Sequence, residues 1–421
     1  MARQYFGTDG VRGIAGDSLT VDLVERLGKA SALWSGRGRV FVGRDTRASG
    51  EELEEAFARG VASAGGVAVL AGVLPTPAVA LLRLDLGVVI SASHNPPEYN
   101  GVKFFDGGGQ KLTDSAEEEI EALLDAPAPG GGEIDRVEVA SDSYLEHVLE
   151  RFAADLAGLR IAVDCANGAY AGLAPLAFER LGAEVEAVAN DPDGTNINVG
   201  CGATDLALLS RTVRGGGFDL GIAFDGDGDR MLAVDEHGDP VDGDQILAVL
   251  ALHLGVDAVA VTAMTNLGFH RLMAEHGIRV VTTDVGDRYV LEALRREGAL
   301  LGGEQSGHLI YLDGHVTGDG LVAGLLLCRA IAGRTLSEAV GVLPLLPQAK
   351  QDLPRADRGP LPEALHADVD RINAELDGEA RVLVRPSGTE PLVRVLAEAA
   401  TAKAARELCG RIAALVTREL G

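Results

Sequence analysis

Asp225, Asp227 and Asp229 alternate with glycine in the run Asp225-Gly226-Asp227-Gly228-Asp229-Arg230. Three carboxylates at i, i+2 and i+4 on a glycine-relaxed loop can converge on one hard cation, which takes oxygen ligands. Acids this close repel one another unless something neutralises them. A calcium loop of the EF-hand kind is the rival, because Glu236 stands at the twelfth position of such a loop. Its sixth position, however, is Arg230 where that loop turns on glycine, and the flanks DLGIAF and MLAVDE read as strands where it needs helices. A strand-end site for Mg²⁺ beside a phosphoryl group suits the run better, since Mg²⁺ keeps few protein carboxylates and shares its shell with phosphate.

A second constellation lies between Gly87 and Lys111. Val88, Val89 and Ile90 form a β-branched run that predicts a buried strand, and Ser91-Ala92-Ser93-His94-Asn95-Pro96 cannot continue it. A turn is expected at Asn100-Gly101, with strand character resuming over Val102 to Phe105. A serine hydroxyl held between two strands, with His94 and Lys103 close by in sequence, is a candidate covalent nucleophile, because serine alone is weak and needs activation. Taken by itself, such a Ser/Asn/Pro cluster is usually only a turn.

Three weaker signals complete the set. In Gly303-Glu304-Gln305-Ser306-Gly307-His308, alternation would place Glu304, Ser306 and His308 on one side of an extended segment, a workable grip for sugar hydroxyls. Arg385-Pro386-Ser387-Gly388-Thr389-Glu390-Pro391, with Arg394 beyond, combines glycine, hydroxyls and arginine into an anion cradle. It lacks the GxxxxGK[ST] form, so ATP is not implied. Arg12 sits between glycines in Gly10-Val11-Arg12-Gly13, where it can face a phosphate or simply be solvated.

These residues need elements to hold them, and three segments repeat one plan of strand, turn, amphipathic helix, glycine and strand. The first begins at Arg39 with a helix near Glu51 to Ala64, the second at Leu159 with a helix near Leu173 to Leu181, and the third at Val256 with a helix near Gly268 to His276. Such alternation implies crossover connections and largely parallel sheets covered by helices. Ala126 to Gly132 reads as a surface loop, and Pro344 to Pro362, with five prolines, as a connector. Beyond it, two helices and two strands form a small α+β domain. The expectation is therefore an α/β protein of four domains: 1–150 with the serine loop, 151–247 with the acidic run, 248–345 with the Glu304 segment, and a smaller α+β domain at 346–421.

At 421 residues the chain exceeds what a single core usually spans. Its 63 acidic and 37 basic residues give a net charge of −26, which argues against general affinity for nucleic acid or anionic membrane. Cys165, Cys201, Cys328 and Cys409 are scattered without CxxC spacing, so they read as reduced thiols of a cytoplasmic protein, with neither zinc site nor disulfide framework. No apolar core of a signal peptide and no run long enough to span a membrane is evident.

Taken together, YFGTDGVRG at Tyr5 to Gly13, SASHNP at Ser91 to Pro96 with NGVKF after it, DGDGDR at Asp225 to Arg230, GEQSGH at Gly303 to His308 and RPSGTEP at Arg385 to Pro391 resemble the α-D-phosphohexomutase superfamily across essentially the whole chain. The FGTDGVRG opening and Gln305 look like the branch acting on glucosamine phosphates. The resemblance implies four domains around a central cleft, with the last one mobile. It also implies that Ser93 is phosphorylated and that Asp225, Asp227 and Asp229, with a phosphate oxygen on Ser93, hold one Mg²⁺ per chain. Glu304, Ser306 and His308 would read the sugar, while Arg385, Ser387, Gly388, Thr389 and Arg394 would bind the phosphate that is not reacting. Arg12, Lys103 and Arg230 would balance phosphoryl charge, His94 and Lys103 are the candidates for proton transfer, and a hexose 1,6-bisphosphate would act as activator. The expected partner is a small-molecule sugar phosphate, with neither nucleic acid nor membrane, and a homodimer is the assembly to test. A mutase specific for mannose or glucose phosphates, a metal-dependent phosphoserine phosphatase, and a noncatalytic sugar-phosphate or calcium binder are the competing readings.

Overall fold

The structure, a computed structural model, describes residues 4–7, 9–355, 359–387 and 391–420. The chain divides into two compact units, one holding the chain up to Met264 together with Ile278–Val342, the other Thr265–Gly277 and the chain from Leu343 onward.

The first unit carries three mixed sheets. In spatial order the first runs Val11–Ile14, Tyr99–Asp106, Leu86–Ile90, Arg39–Arg44, Val67–Val73 and Glu133–Arg136. Its Tyr99–Asp106 strand is antiparallel to both neighbours, and the remaining pairs are parallel. The second runs Pro240–Val241, Met231–Asp235, Leu220–Phe224, Arg160–Asp164 and Glu184–Val188, with its parallel pairs at the Glu184–Val188 end. The third runs Arg279–Thr283, Ala258–Thr262, Leu301–Gly303 and Leu309–Tyr311, and only its last pair is antiparallel.

The parallel strands are continuous apolar runs because helices cover both faces of such sheets. Leu86–Ile90, Leu220–Phe224 and Ala258–Thr262 are buried at every position. Helix starts follow side-chain caps: Thr20 accepts from the Leu23 N–H, Asp242 forms a capping box with Gln245, and Asp319 accepts from the Leu321 and Val322 N–H groups. All four cysteines are free and buried, and burial pushes the thiols of Cys201 and Cys328 up to about 12.

Two expectations are corrected here. Asn100-Gly101 is not a turn but lies inside the strand Tyr99–Asp106, where Gly101 pairs with Arg12. Glycine is needed for close approach, since a Cβ would stand 2.7 Å from the Ser91 carbonyl oxygen and 2.9 Å from that of Val11. The stretch Pro344 to Pro362 is likewise more than a connector, because Gln348–Pro354 forms an edge strand, with proline only at its last position.

In the second unit, Gln348–Pro354, Leu392–Glu398 and Arg381–Pro386 form an antiparallel sheet in that order, with the helices Glu363–Glu375 and Ala402–Leu420. The expected crossover helix of the third repeat, Leu267–Glu275, belongs to this unit. Its Leu267 N–H donates to Glu398 Oε2 at 3.2 Å, and the Asn266 side chain bridges the Leu346 carbonyl and N–H, each at 3.0 Å. Burial, reinforced by Arg381, lowers the pKa of His270 in this helix to about 4. The unfolded chain takes that proton near the ordinary value of 6.5, so stability is complete above pH 6.5 and falls as pH drops toward 4, by up to roughly 3 kcal/mol. Unfolding measured from pH 7 to pH 4 should show this slope, and His270→Leu should make it shallower.

Candidate active site

Ser93 follows the fully buried strand Leu86–Ile90 and is itself 1% exposed. Its Oγ donates to Asp225 Oδ2 at 2.6 Å across 132 residues, the contact on which a serine–acid pairing depends. His94 Nδ1 lies 3.3 Å from the same oxygen. Burial, with Arg230 and Arg12 adding repulsion, lowers His94 to about 4, so its imidazole is neutral at neutral pH.

The acidic run joins the antiparallel strands Leu220–Phe224 and Met231–Asp235, the strand flanks that exclude an EF-hand. Ligand atoms of Asp225, Asp227 and Asp229 all lie within 4.8 Å of one another, and all three residues are buried. Glu236, the acid an EF-hand would require, instead accepts from the Ser337 N–H at 3.2 Å and from its hydroxyl. Asp225 Oδ1 accepts from the Gly228 and Arg230 N–H groups, at 3.1 and 3.2 Å, which fixes the turn. Asp227 Oδ2 accepts from Thr76 Oγ1 at 2.6 Å and from Lys103 Nζ at 2.7 Å, while its buried Oδ1 has no hydrogen-bond partner among the described residues.

The donor set fits a metal ion. Burial, then the charges of Asp229 and Asp227, push the Asp225 carboxyl up to about 8, so ionising all three acids together is opposed unless a cation joins them. The orphaned buried Oδ1 of Asp227, within the trio, is the kind of oxygen ligand a hard cation takes.

Lys103 is 1% exposed and reaches Asp227 at 2.7 Å, Asp9 at 3.3 Å and Asp229 at 3.5 Å. Burial opposes its charge, yet those three carboxylates raise its pKa well above the usual lysine value, so it is a fixed ammonium and not a ready base. Arg12 pairs with Asp9, and Lys111 bridges Asp9 and Asp287, each at 2.6 Å. His308 stands between Asp229, 3.7 Å from Nδ1, and Asp287, 3.4 Å from Nε2. Burial works against its charge, but the two aspartates raise its pKa.

The Glu304 segment departs from its expected shape. It is the turn of a hairpin between Leu301–Gly303 and Leu309–Tyr311, not an extended run, so alternation does not set its directions. His308 turns inward and is 2% exposed, Ser306 is exposed, and Glu304 Oε1 accepts from the Gly286 N–H at 3.1 Å. Arg230 Nε is buried without a hydrogen-bond partner among the described residues. In the second unit, Arg385 faces Arg394 across the register of the strands Arg381–Pro386 and Leu392–Glu398, and Ser387 follows at the strand end. Gly388 and Thr389 lie outside the described residues. Sequence reasoning missed Asp9, Thr76, Lys111 and Asp287. Asp9 and Lys111 stood inside or beside quoted motifs, while Thr76 and Asp287 carry no local signal.

Gly228, at φ +78°, carries a testable constraint. A Cβ there would overlap the ring of Tyr170, which cannot retreat because its hydroxyl bonds Tyr144 at 2.6 Å and Asp319 at 2.7 Å. Gly228→Ala should cost about 2–4 kcal/mol from backbone strain plus overpacking. Thermal unfolding of the variant measures the loss of stability.

The phosphoglucomutase/phosphomannomutase family matches this chain in four parts: alpha/beta/alpha domain I over residues 3–129, domain II over 142–238, domain III over 242–345 and the C-terminal domain over 349–415. Phosphoglucosamine mutase of Moorella thermoacetica is 48% identical, covering 94% of this chain and 95% of its own length. That of Thermobifida fusca is 48% identical over 99% of both chains. The crystal structure of a phosphoglucomutase/phosphomannomutase family protein from Burkholderia thailandensis matches at TM-score 0.85 and 26% identity, covering 100% of this chain and 99% of that one.

Proposed function

The chain belongs to the phosphoglucomutase/phosphomannomutase family, and on that premise we propose that it interconverts glucosamine 6-phosphate and glucosamine 1-phosphate, supplying the 1-phosphate for UDP-N-acetylglucosamine synthesis. The observation that carries this reading is the 2.6 Å contact between Ser93 Oγ and one member of the clustered acid trio.

In the proposed cycle Ser93 carries a phosphoryl group. The free hydroxyl at C1 or C6 of the sugar monophosphate attacks phosphorus, the bond to Ser93 Oγ breaks, and a hexosamine 1,6-bisphosphate forms. The bisphosphate turns end for end, and Ser93 Oγ takes back the other phosphoryl group. Asp225, Asp227 and Asp229, with an oxygen of that group, would hold Mg²⁺. Once bound, Mg²⁺ supplies Lewis acidity that draws charge from the transferring group.

The chain's own residues do the rest. Lys103, Arg12 and Arg230 supply positive charge for the phosphoryl oxygens, Lys103 doing so at all working pH because its carboxylates keep it protonated. His94, neutral beside Ser93, would accept the proton of Ser93 Oγ as that oxygen takes back the phosphoryl group. Glu304, Ser306 and His308 would read the sugar, and Arg385, Ser387, Gly388, Thr389 and Arg394 would hold the phosphate that is not reacting, so that distal binding serves orientation. A hexose 1,6-bisphosphate would restore a Ser93 that has lost its group. The proposed setting is cytoplasmic, and light scattering decides whether a homodimer forms.

Incubating the purified protein with glucosamine 6-phosphate, Mg²⁺ and a trace of hexose 1,6-bisphosphate should yield glucosamine 1-phosphate by phosphorus NMR. The kcat/KM should exceed that for glucose or mannose 6-phosphate. Steady release of inorganic phosphate without any 1-phosphate would instead make the protein a phosphatase.

A further inference from the structure

The backbone of Ser93 is left-handed, at φ +53°, a conformation that non-glycine residues adopt only when their surroundings impose it. The surroundings here are unusually specific. Arg47 is 1% exposed, and all five of its guanidinium N–H groups have acceptors. Nε donates to Asp45 at 2.9 Å, Nη2 to the carbonyls of Ser93 and Asn95 at 2.9 and 2.8 Å, and Nη1 to those of Tyr99, at 2.8 Å, and Pro96. Asp45 in turn accepts from Ser91 Oγ at 2.6 Å, and Ser91 Oγ accepts from the Ser93 N–H at 2.9 Å.

A second grip comes from the neighbourhood of the acidic run. Asn198 Nδ2 donates to the carbonyls of Ser93 and Asn95 at 2.9 and 3.2 Å. Gly226, inside the acidic run, closes on the same point, since a Cβ there would lie 2.7 Å from the Ser93 carbonyl oxygen and 2.8 Å from Asn198 Nδ2. One carbonyl is thus held by Arg47 from the first sheet's side and by Asn198 from the side that carries Asp225.

We propose that Arg47 and Asn198 are positioning residues that lock the Ser93 loop from two sides, keeping Ser93 Oγ aimed at Asp225 while its phosphoryl group leaves and returns. The inference rests on the mutase reading. In that cycle the sugar reorients, so the serine oxygen is the part that must not move, and a misplacement of about 1 Å can cost roughly 10²-fold in rate. Neither residue touches the reacting atoms. Lysine cannot replace Arg47, because its ammonium offers three donors from one point where five in a planar fork are used.

The test uses the full-length protein with Arg47→Lys and Asn198→Ala, the second being the milder change should the first fail to fold. Two readouts are taken: kcat and KM with glucosamine 6-phosphate, and amide hydrogen exchange of the segment 93–99. We expect kcat to fall about 10²-fold for R47K and about tenfold for N198A, with KM changed less than about threefold. Exchange should accelerate in 93–99 and stay unchanged in the sheet of the second unit. A folded variant that keeps its kcat, loses only KM, or loses kcat without faster exchange in this segment overturns the proposal. A wild type that makes no 1-phosphate refutes the mutase reading instead, and the exchange data then still decide whether the two residues lock the loop.

Discussion

Ser93→Ala is expected to abolish interconversion, lowering kcat by about 10⁴-fold or more, the scale seen when a covalent nucleophile is removed. The neighbouring hydroxyl of Ser91 cannot take over. Ser91 is two residues away, but its Oγ is buried, donates to Asp45 and accepts from the Ser93 N–H, so it is committed to holding the loop. Alanine tolerates φ +53° about as poorly as serine does, so the loop keeps the strain that Arg47 already balances. The variant should therefore fold, with its loss concentrated in turnover. Intact-mass measurement should show a phosphoryl group on the wild type after treatment with hexose 1,6-bisphosphate and none on Ser93→Ala. Residual turnover within tenfold of wild type would remove Ser93 from the chemistry.

Asp227→Asn should lower kcat by roughly 10²–10³-fold while changing KM by only a few-fold, because charge is lost where it matters in the transition state. The orphaned Oδ1 of Asp227 is free to accept a cation, and an amide in its place offers a weaker, neutral ligand. Calorimetric titration should show weaker Mg²⁺ binding, and added Mg²⁺ should restore part of the rate. The same change removes the nearest counter-charge of buried Lys103. Breaking a buried pair costs about 3–5 kcal/mol when one charge is left alone. Here Asp9 at 3.3 Å and Asp229 at 3.5 Å still face Lys103, so the stability lost should fall below that range. An unchanged turnover number would place the metal elsewhere.

The parts of this protein that repeat were readable from its residues. The first strands of the strand, helix and glycine units, Arg39–Arg44, Arg160–Asp164 and Ala258–Thr262, bury nearly continuous runs, so their periodicity survives without knowledge of neighbours, although the helix of the third belongs to the second compact unit. Asn100-Gly101 misled because glycine has two uses, relieving a turn and admitting a close backbone, and only the paired strand Val11–Ile14 shows which applies. The edge strand Gln348–Pro354 was hidden by prolines that an edge tolerates and a central strand would not. At the site, the acidic run was legible because its three ligands are local. Asp287, Thr76 and Asn198 were not, since an isolated aspartate, threonine or asparagine looks like ordinary surface until the fold buries it. The sharpest missed clue was Asp45 with Arg47, a charged pair directly after the β-branched strand Arg39–Arg44, where a buried end demands a partner.

The four buried thiols give the protein a built-in gauge of its own breathing. Sealed in the native state and held in their unreactive protonated form, they should ignore alkylating reagents until the region around each one opens. Cys165 and Cys201 would report on the part carrying the acidic run, Cys328 on the helix Gly320–Ala330, and Cys409 on the terminal helix. The order in which they become labelled would rank these regions by local opening free energy, without an introduced probe.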